Sequence, residues 1–263
     1  MLLRLETIGI SGAVKRLASW TKPVGRVVLD ILLPPRCAAC PQEIAEDAGL
    51  CPACWATMPF IEHPVCHRFG TPFTHEIGVA ALSPRAIAEP PEFDRCRSAC
   101  LYQGPAKDLV HALKFSRRRE LADPMGRWMA RAGRELLGEA ALLVPVPLHR
   151  VRLIKRQFNQ SADLARAIAR HGGGEYQPEV LRRVKNTRPQ VGLTAKQRQK
   201  NIRGAFVVPP EQRGLIAGRR VVLVDDVFTT GSTVEACARV LLRQGAVCVD
   251  VLTFAVASDW LET

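Results

Sequence analysis

Residues 221–233 read Val-Val-Leu-Val-Asp-Asp-Val-Phe-Thr-Thr-Gly-Ser-Thr and constrain the fold more than any other stretch of this chain of 263 residues. An apolar run at 221–224 has the character of a buried strand. It ends in two carboxylates, a Thr/Gly/Ser turn follows, and 234–244 is compatible with a helix. Adjacent acids at the C-terminal edge of a strand repel each other and are costly unless something uses them. That edge is also where open α/β sheets place their ligands. The carboxylates can accept hydrogen bonds from vicinal hydroxyls. The turn can offer amide N–H groups and hydroxyls to a phosphate at a helix N-terminus, and Gly231 supplies a permissive backbone. The chemistry suits a sugar phosphate. An ordinary strand–turn–helix, with Asp and Thr as turn and cap residues, leaves the paired acids unexplained.

Around this segment the pattern alternates. The sequence predicts strands at 98–102, 141–146, 179–184, 206–208, 220–224 and 247–256, and helices at 106–115, 120–137, 161–170 and 234–244. Such alternation implies an α/β fold with a mostly parallel, doubly wound sheet. A short amphipathic helix is expected at 23–33, opened by Pro23 and stopped by Pro34 and Pro35. Residues 55–94 are rich in proline and poor in periodicity. The domain reading is an extension with a short helix at 1–33, a zinc-ribbon-like module and connector at 34–94, and the α/β domain at 95–263.

Nine cysteines are present, and four fall as Cys37-x2-Cys40-x10-Cys51-x2-Cys54. Each Cys-x2-Cys pair turns two thiolates toward one ion, and two pairs close a tetrahedral structural zinc site. The alternative is two disulfides. That requires an oxidising compartment, and no secretory signal supports one. So short a module buries little core, and the metal would hold it folded. Cys66 lacks a cysteine two or three residues on. Cys96, Cys100, Cys237 and Cys248 read as buried small hydrophobes.

The formal net charge is +12, which favours polyanionic partners. The cations are clustered. From 180 to 210 there are eight Lys/Arg, among them Arg188 and Arg198, and no acid. A second cluster is Arg150, Arg152, Lys155 and Arg156, and a third is Lys114, Arg117, Arg118 and Arg119. Either each is a solvated face, or the three share one anion-binding surface. No apolar run approaches the ~20 residues of a membrane span, and a cytoplasmic location is expected.

The 221–233 segment resembles the 5-phosphoribosyl-1-diphosphate (PRPP) loop of type I phosphoribosyltransferases. Further motifs are Val144-Pro-Val-Pro-Leu-His149, Arg156-Gln-Phe-Asn-Gln160, Thr187-Arg-Pro-Gln190 and Asn201-Ile-Arg-Gly-Ala-Phe206. With the cysteine module they resemble the ComF family of bacterial competence-associated proteins, in which a double zinc ribbon precedes a phosphoribosyltransferase domain. The resemblance implies that Asp225 and Asp226 hold the ribose hydroxyls. It implies that Thr229, Thr230, Gly231, Ser232 and Thr233 cradle the 5′-phosphate, with Mg²⁺ accompanying PRPP. Arg188 and Arg198, in a basic loop at 185–204, and Lys155 and Arg156 are the expected diphosphate or nucleic-acid contacts. Phe69, Ser83 and Ala86 stand where a second ribbon would have ligands, so one zinc is expected, not two. The first 22 residues have no counterpart in the family. No residue is marked as general acid or base, and no acceptor pocket is recognisable. Two functions follow from the resemblance. One is a PRPP-binding phosphoribosyltransferase linked to DNA uptake, with competence-machinery proteins as partners. The other is a non-catalytic single-stranded-DNA-binding protein that uses the fold as a ligand-sensing platform.

Overall fold

In a computed structural model the described residues are 36–44, 49–138, 141–186 and 202–260. The helix expected at 23–33, the cations Arg188 and Arg198 and most of the basic loop lie outside them.

Five strands form one sheet: β1 (Cys96–Leu101), β2 (Leu142–Pro145), β3 (Glu175–Tyr176), β6 (Arg220–Phe228) and β7 (Cys248–Val256). Their order is β1-β7-β6-β2-β3, and every pairing is parallel. A separate antiparallel pair joins β4 (Arg182–Arg183) to β5 (Phe206–Val207). The strand expected at 179–184 therefore leaves the main sheet. The helices are α1 (Pro52–Ala56), α2 (Pro84–Ala88), α3 (Gly104–Phe115), α4 (Ala122–Ala132), α5 (Arg150–Arg156), α6 (Gln160–Gly172), α7 (Arg213–Ile216) and α8 (Ser232–Arg243). Among the described residues no helix is long and apolar enough to cross a membrane.

The apolar strands need cover on both faces. On one face Val221, Leu223, Val249 and Val251 pack against Cys237, Ala238 and Leu241 of α8. On the other, Val222, Val224, Leu252 and Phe254 pack against α3, α4 and α6 through Leu109, Leu113, Met129, Leu164 and Ile168. Helices α4 and α6 approach so closely that a Cβ on Gly126 would lie 2.4 Å from that of Ala167.

The cysteine module is not a separate bead. Ile61 N–H donates to Ala99 O (3.0 Å) and Leu101 N–H to Pro59 O (2.9 Å), which covers the exposed edge of β1. Met58 and Ala38 enter the core on the α3/α4 side, while Cys66, Phe69, Ala86 and Phe93 enter it on the α8 side.

Candidate functional site: a polar cleft at the strand tips

The cleft exists because β2 is shorter than its neighbour. Its pairing with β6 ends at Pro145 and Val224, followed by one more bond from Val146 N–H to Val224 O (2.9 Å). Pro147 has no N–H to continue the ladder, and the chain turns away into α5, a helix absent from the sequence-based expectation. Strand β6 runs on beside β7 to Phe228. Asp225 and Asp226 thus lie within a strand that is paired on one side and open on the other. The strand is longer than expected, and its last four residues line the cleft.

The two carboxylates have different partners. Ser161 Oγ, at the start of α6, donates to Asp225 Oδ1 at 2.9 Å. Lys114 Nζ, at the end of α3, lies 2.9 Å from Asp226 Oδ1. Asp226 Oδ2 is buried with no hydrogen-bond partner among the described residues. Burial, and then the charge of Asp226, push the Asp225 carboxyl up to about 7, although Lys114 and the Ser161 hydroxyl oppose the shift.

The motif 156–160 builds the opposite wall. Asn159 caps α6 by accepting from Ser161 N–H (3.1 Å), and its amide donates to Val146 O (3.1 Å), tying helix to turn. Phe158 is core. Arg156 donates to Gln160 (3.1 Å), and both line the cleft with Arg152 and Arg183. Lys155 is exposed and outside that lining. Burial, and then Arg152, lower the pKa of the Arg183 guanidinium.

Gly231 ends the turn with φ 73°, in the left-handed region, as the cap of α8. A side chain here would be strained, and its Cβ would meet Phe228 at 3.0 Å. No side chain caps the α8 N-terminus, so its first N–H groups point outward without intrahelical partners. Thr230 Oγ1 and Ser232 Oγ lie 3.1 Å apart beside them. The structure therefore brings Asp225, Asp226, Thr229, Thr230, Gly231, Ser232, Thr233 and Arg156 into one cleft. Lys114 and Ser161 join them. Pattern reading missed both as cleft residues, and only the placement of Lys114 in a basic cluster pointed toward it.

The sulfurs of Cys37, Cys40, Cys51 and Cys54 all lie within 4.8 Å of one another. Cys40 and Cys51 are 3.7 Å apart, close to the roughly 3.8 Å edge of a tetrahedron with ~2.3 Å Zn–S bonds. Burial raises the Cys37 thiol, but the N–H groups of Cys51, Ala39 and Cys40 outweigh it and bring the pKa down to about 6, while burial and the neighbouring thiols push Cys54 up. The donor set fits structural zinc, and the four thiols supply a complete shell. This is the one such cluster among the described residues.

A second knuckle survives without ligands. Cys66 Sγ accepts from Phe69 N–H (3.5 Å) and Ser83 N–H (3.3 Å), and Ser83 Oγ accepts from Ala86 N–H (3.3 Å). Cys51 Sγ accepts from Cys54 N–H (3.5 Å) in the same manner. The Phe69 ring packs 6.0 Å from that of Phe93 and 4.8 Å from that of Trp260. Apolar packing surrounds the Cys66 turn.

The family model of the double zinc ribbon domain matches residues 28–88, and that of the phosphoribosyl transferase domain matches 129–259. DNA utilization protein YhgH of Escherichia coli (strain K12) is 33% identical over 220 residues, covering 82% of this chain and 87% of the relative. Competence protein F of Haemophilus influenzae is 29% identical over 204 residues, covering 75% and 86%. Among solved structures, the allosteric regulatory enzyme of purine biosynthesis aligns over 55% of this chain and 30% of its own, at 19% identity and TM-score 0.36. TT1426 from Thermus thermophilus aligns over 54% and 78%, at 21% identity and TM-score 0.31.

Proposed function

This chain belongs to the ComF family, with competence protein F and DNA utilization protein YhgH among its relatives, and on that premise we propose that its cleft binds PRPP. The observation that carries the reading is the Asp226 carboxylate, buried with one oxygen unpartnered among the described residues and in the same cleft as the uncapped start of α8. A buried acceptor without a donor is costly, and a ribose hydroxyl supplies the donor. Asp225 takes the neighbouring hydroxyl. The 5′-phosphate accepts from the N–H groups and hydroxyls of 229–233.

The diphosphate faces Lys114, Arg152, Arg156 and Arg183. Lys114 is held by Asp226. The sugar hydroxyl takes Asp226 Oδ2, and Lys114 stays on Oδ1 at the edge of the site where the anion gathers. Magnesium, bound with PRPP, supplies Lewis-acid stabilisation of the diphosphate. In transfer, the bond from C1 to the diphosphate oxygen breaks as the acceptor nucleophile bonds to C1, and the acceptor proton passes to solvent. The chain's part is to orient the sugar and to hold fixed cations where the leaving group gathers charge. The protein acts in the cytoplasm, in DNA uptake or use.

A second reading is a non-catalytic protein that binds single-stranded DNA and uses PRPP as a signal. The convergence of Lys114 with Arg152 and Arg156 at one cleft favours it, because two basic clusters distant in sequence meet on one face.

Calorimetry with PRPP and Mg²⁺ tests the site. Asp225→Asn and Asp226→Asn should each weaken binding by about 10- to 100-fold, the worth of a charged hydrogen bond. Wild-type affinity in both variants sinks the loop assignment. A screen of nucleobases and amines for diphosphate release separates transfer from sensing.

A further inference from the structure

Phe115 is out of place on its helix. The other apolar residues of α3 that face the core, Ala106, Leu109, Val110 and Leu113, are at most 1% exposed, whereas Phe115 is 66% exposed. The ring stands beside a guanidinium and an imidazole. The Arg156 guanidinium lies 5.4 Å from its centroid, and the His111 ring lies 5.4 Å away at 50°. It lines a shallow, open groove of about 600 Å³ between α3 and the Cys37–Cys40 knuckle, where Arg36, Lys107 and Arg118 contribute positive charge. Asp108 is the one carboxylate in that lining, and Glu120 pairs with Arg118 at 2.9 Å.

We propose that this groove binds single-stranded DNA, with one base stacked on the exposed Phe115 ring and adjacent phosphates on Lys107 and Arg36. Lys107 belongs to the α3 side and faces the phosphates, whereas Arg118 is held by Glu120. A purely acidic partner would use the cations and leave the ring wet. A purely apolar partner would bury the cations at a cost. A single strand uses both, through phosphates and the π-faces of its bases. The position adds to this. Lys114, the residue before Phe115, enters the PRPP cleft at Asp226, and Arg156 borders both the ring and the cleft. A strand in the groove therefore ends at the cleft mouth, and the zinc knuckle forms the groove's second wall.

The proposal rests on the reading that this chain handles DNA, and the test distinguishes the two. Anisotropy of a fluorescein-labelled dT 20-mer is measured with the full-length, zinc-loaded protein across a salt series. Phe115→Ala should weaken binding about tenfold or more, the value of one stacked base, while Phe115→Trp retains wild-type affinity. Lys107→Ala should reduce the slope of log Kd against log salt by about 0.7, one phosphate contact. A 5-iodouracil oligonucleotide photo-crosslinked to the unaltered protein should mark Phe115, whatever the variants do. Wild-type binding by Phe115→Ala, or crosslinks confined to other aromatic residues such as Trp55, overturns the groove assignment and leaves DNA handling intact. No binding of the 20-mer at low salt overturns both.

Discussion

Asp225 and Asp226 are neighbours in sequence but not in environment. Alternation along β6 sends one toward the Ser161 hydroxyl and the other toward the Lys114 ammonium. Because burial raises the Asp225 pKa from the ordinary ~3.9 to about 7, the folded chain binds more protons than the unfolded chain between those values. Unfolding free energy therefore falls as pH climbs through that window and levels off above it. Asp225→Asn, which cannot ionise but keeps an acceptor for Ser161, should be about 1–3 kcal/mol more stable than wild type at pH 8 and equal to it near pH 4, as read by urea unfolding at both pH values. Lys114→Met has the opposite sign. It strands the Asp226 carboxylate, 6% exposed at its side chain, and should cost roughly 2–4 kcal/mol. Adding Asp226→Asn should restore most of the loss in a double-mutant cycle.

At the scale of elements, the two knuckles follow different rules on one backbone plan. Cys37, Cys40, Cys51 and Cys54 gather four sulfurs, while Cys66, Phe69, Ser83 and Ala86 keep the turn hydrogen bonds around an apolar centre. Elemental analysis of the purified chain should find about one zinc per molecule, and two would overturn this account. Chelation should release the first knuckle, with α1, and alter Trp55 emission. Trp55 sits on α1 one residue after Cys54, with its ring 5.7 Å from that of Trp128. Far-UV ellipticity should change little, because the sheet and its helices draw on burial rather than on the metal. The spacing of the first four cysteines was legible in sequence because ligand geometry acts over a few residues. The packing of the second knuckle was not, since Phe93 and Trp260 reach it from distant parts of the chain. Helix α5 escaped notice for a related reason. Its Val151, Leu153 and Ile154 are exposed, so it carries no core-facing stripe to read.

Across the whole molecule, β6 and β7 are the structural centre. They pair over most of their length and are buried on both faces. Native-state hydrogen exchange should find their amides the slowest, and those of α5 and the first knuckle the fastest. Faster exchange in β6 than in α5 would contradict this architecture. The sequence by itself determined the alternation of strand and helix, the parallel sheet, the glycine of the turn and the four-thiol cluster; it placed the acid pair at a strand tip, whereas the strand runs on to Phe228. Each is written in nearest-neighbour chemistry or in a period of two or 3.6 residues, which a linear chain displays. Only the tertiary structure decided that β2 stops short and opens the cleft, that Lys114 and Ser161 take the two acids, and that Phe115 stands in a groove walled by the cysteine knuckle. Those facts depend on contacts between segments tens of residues apart, and burial of the two sheet faces selects such contacts without leaving a local pattern.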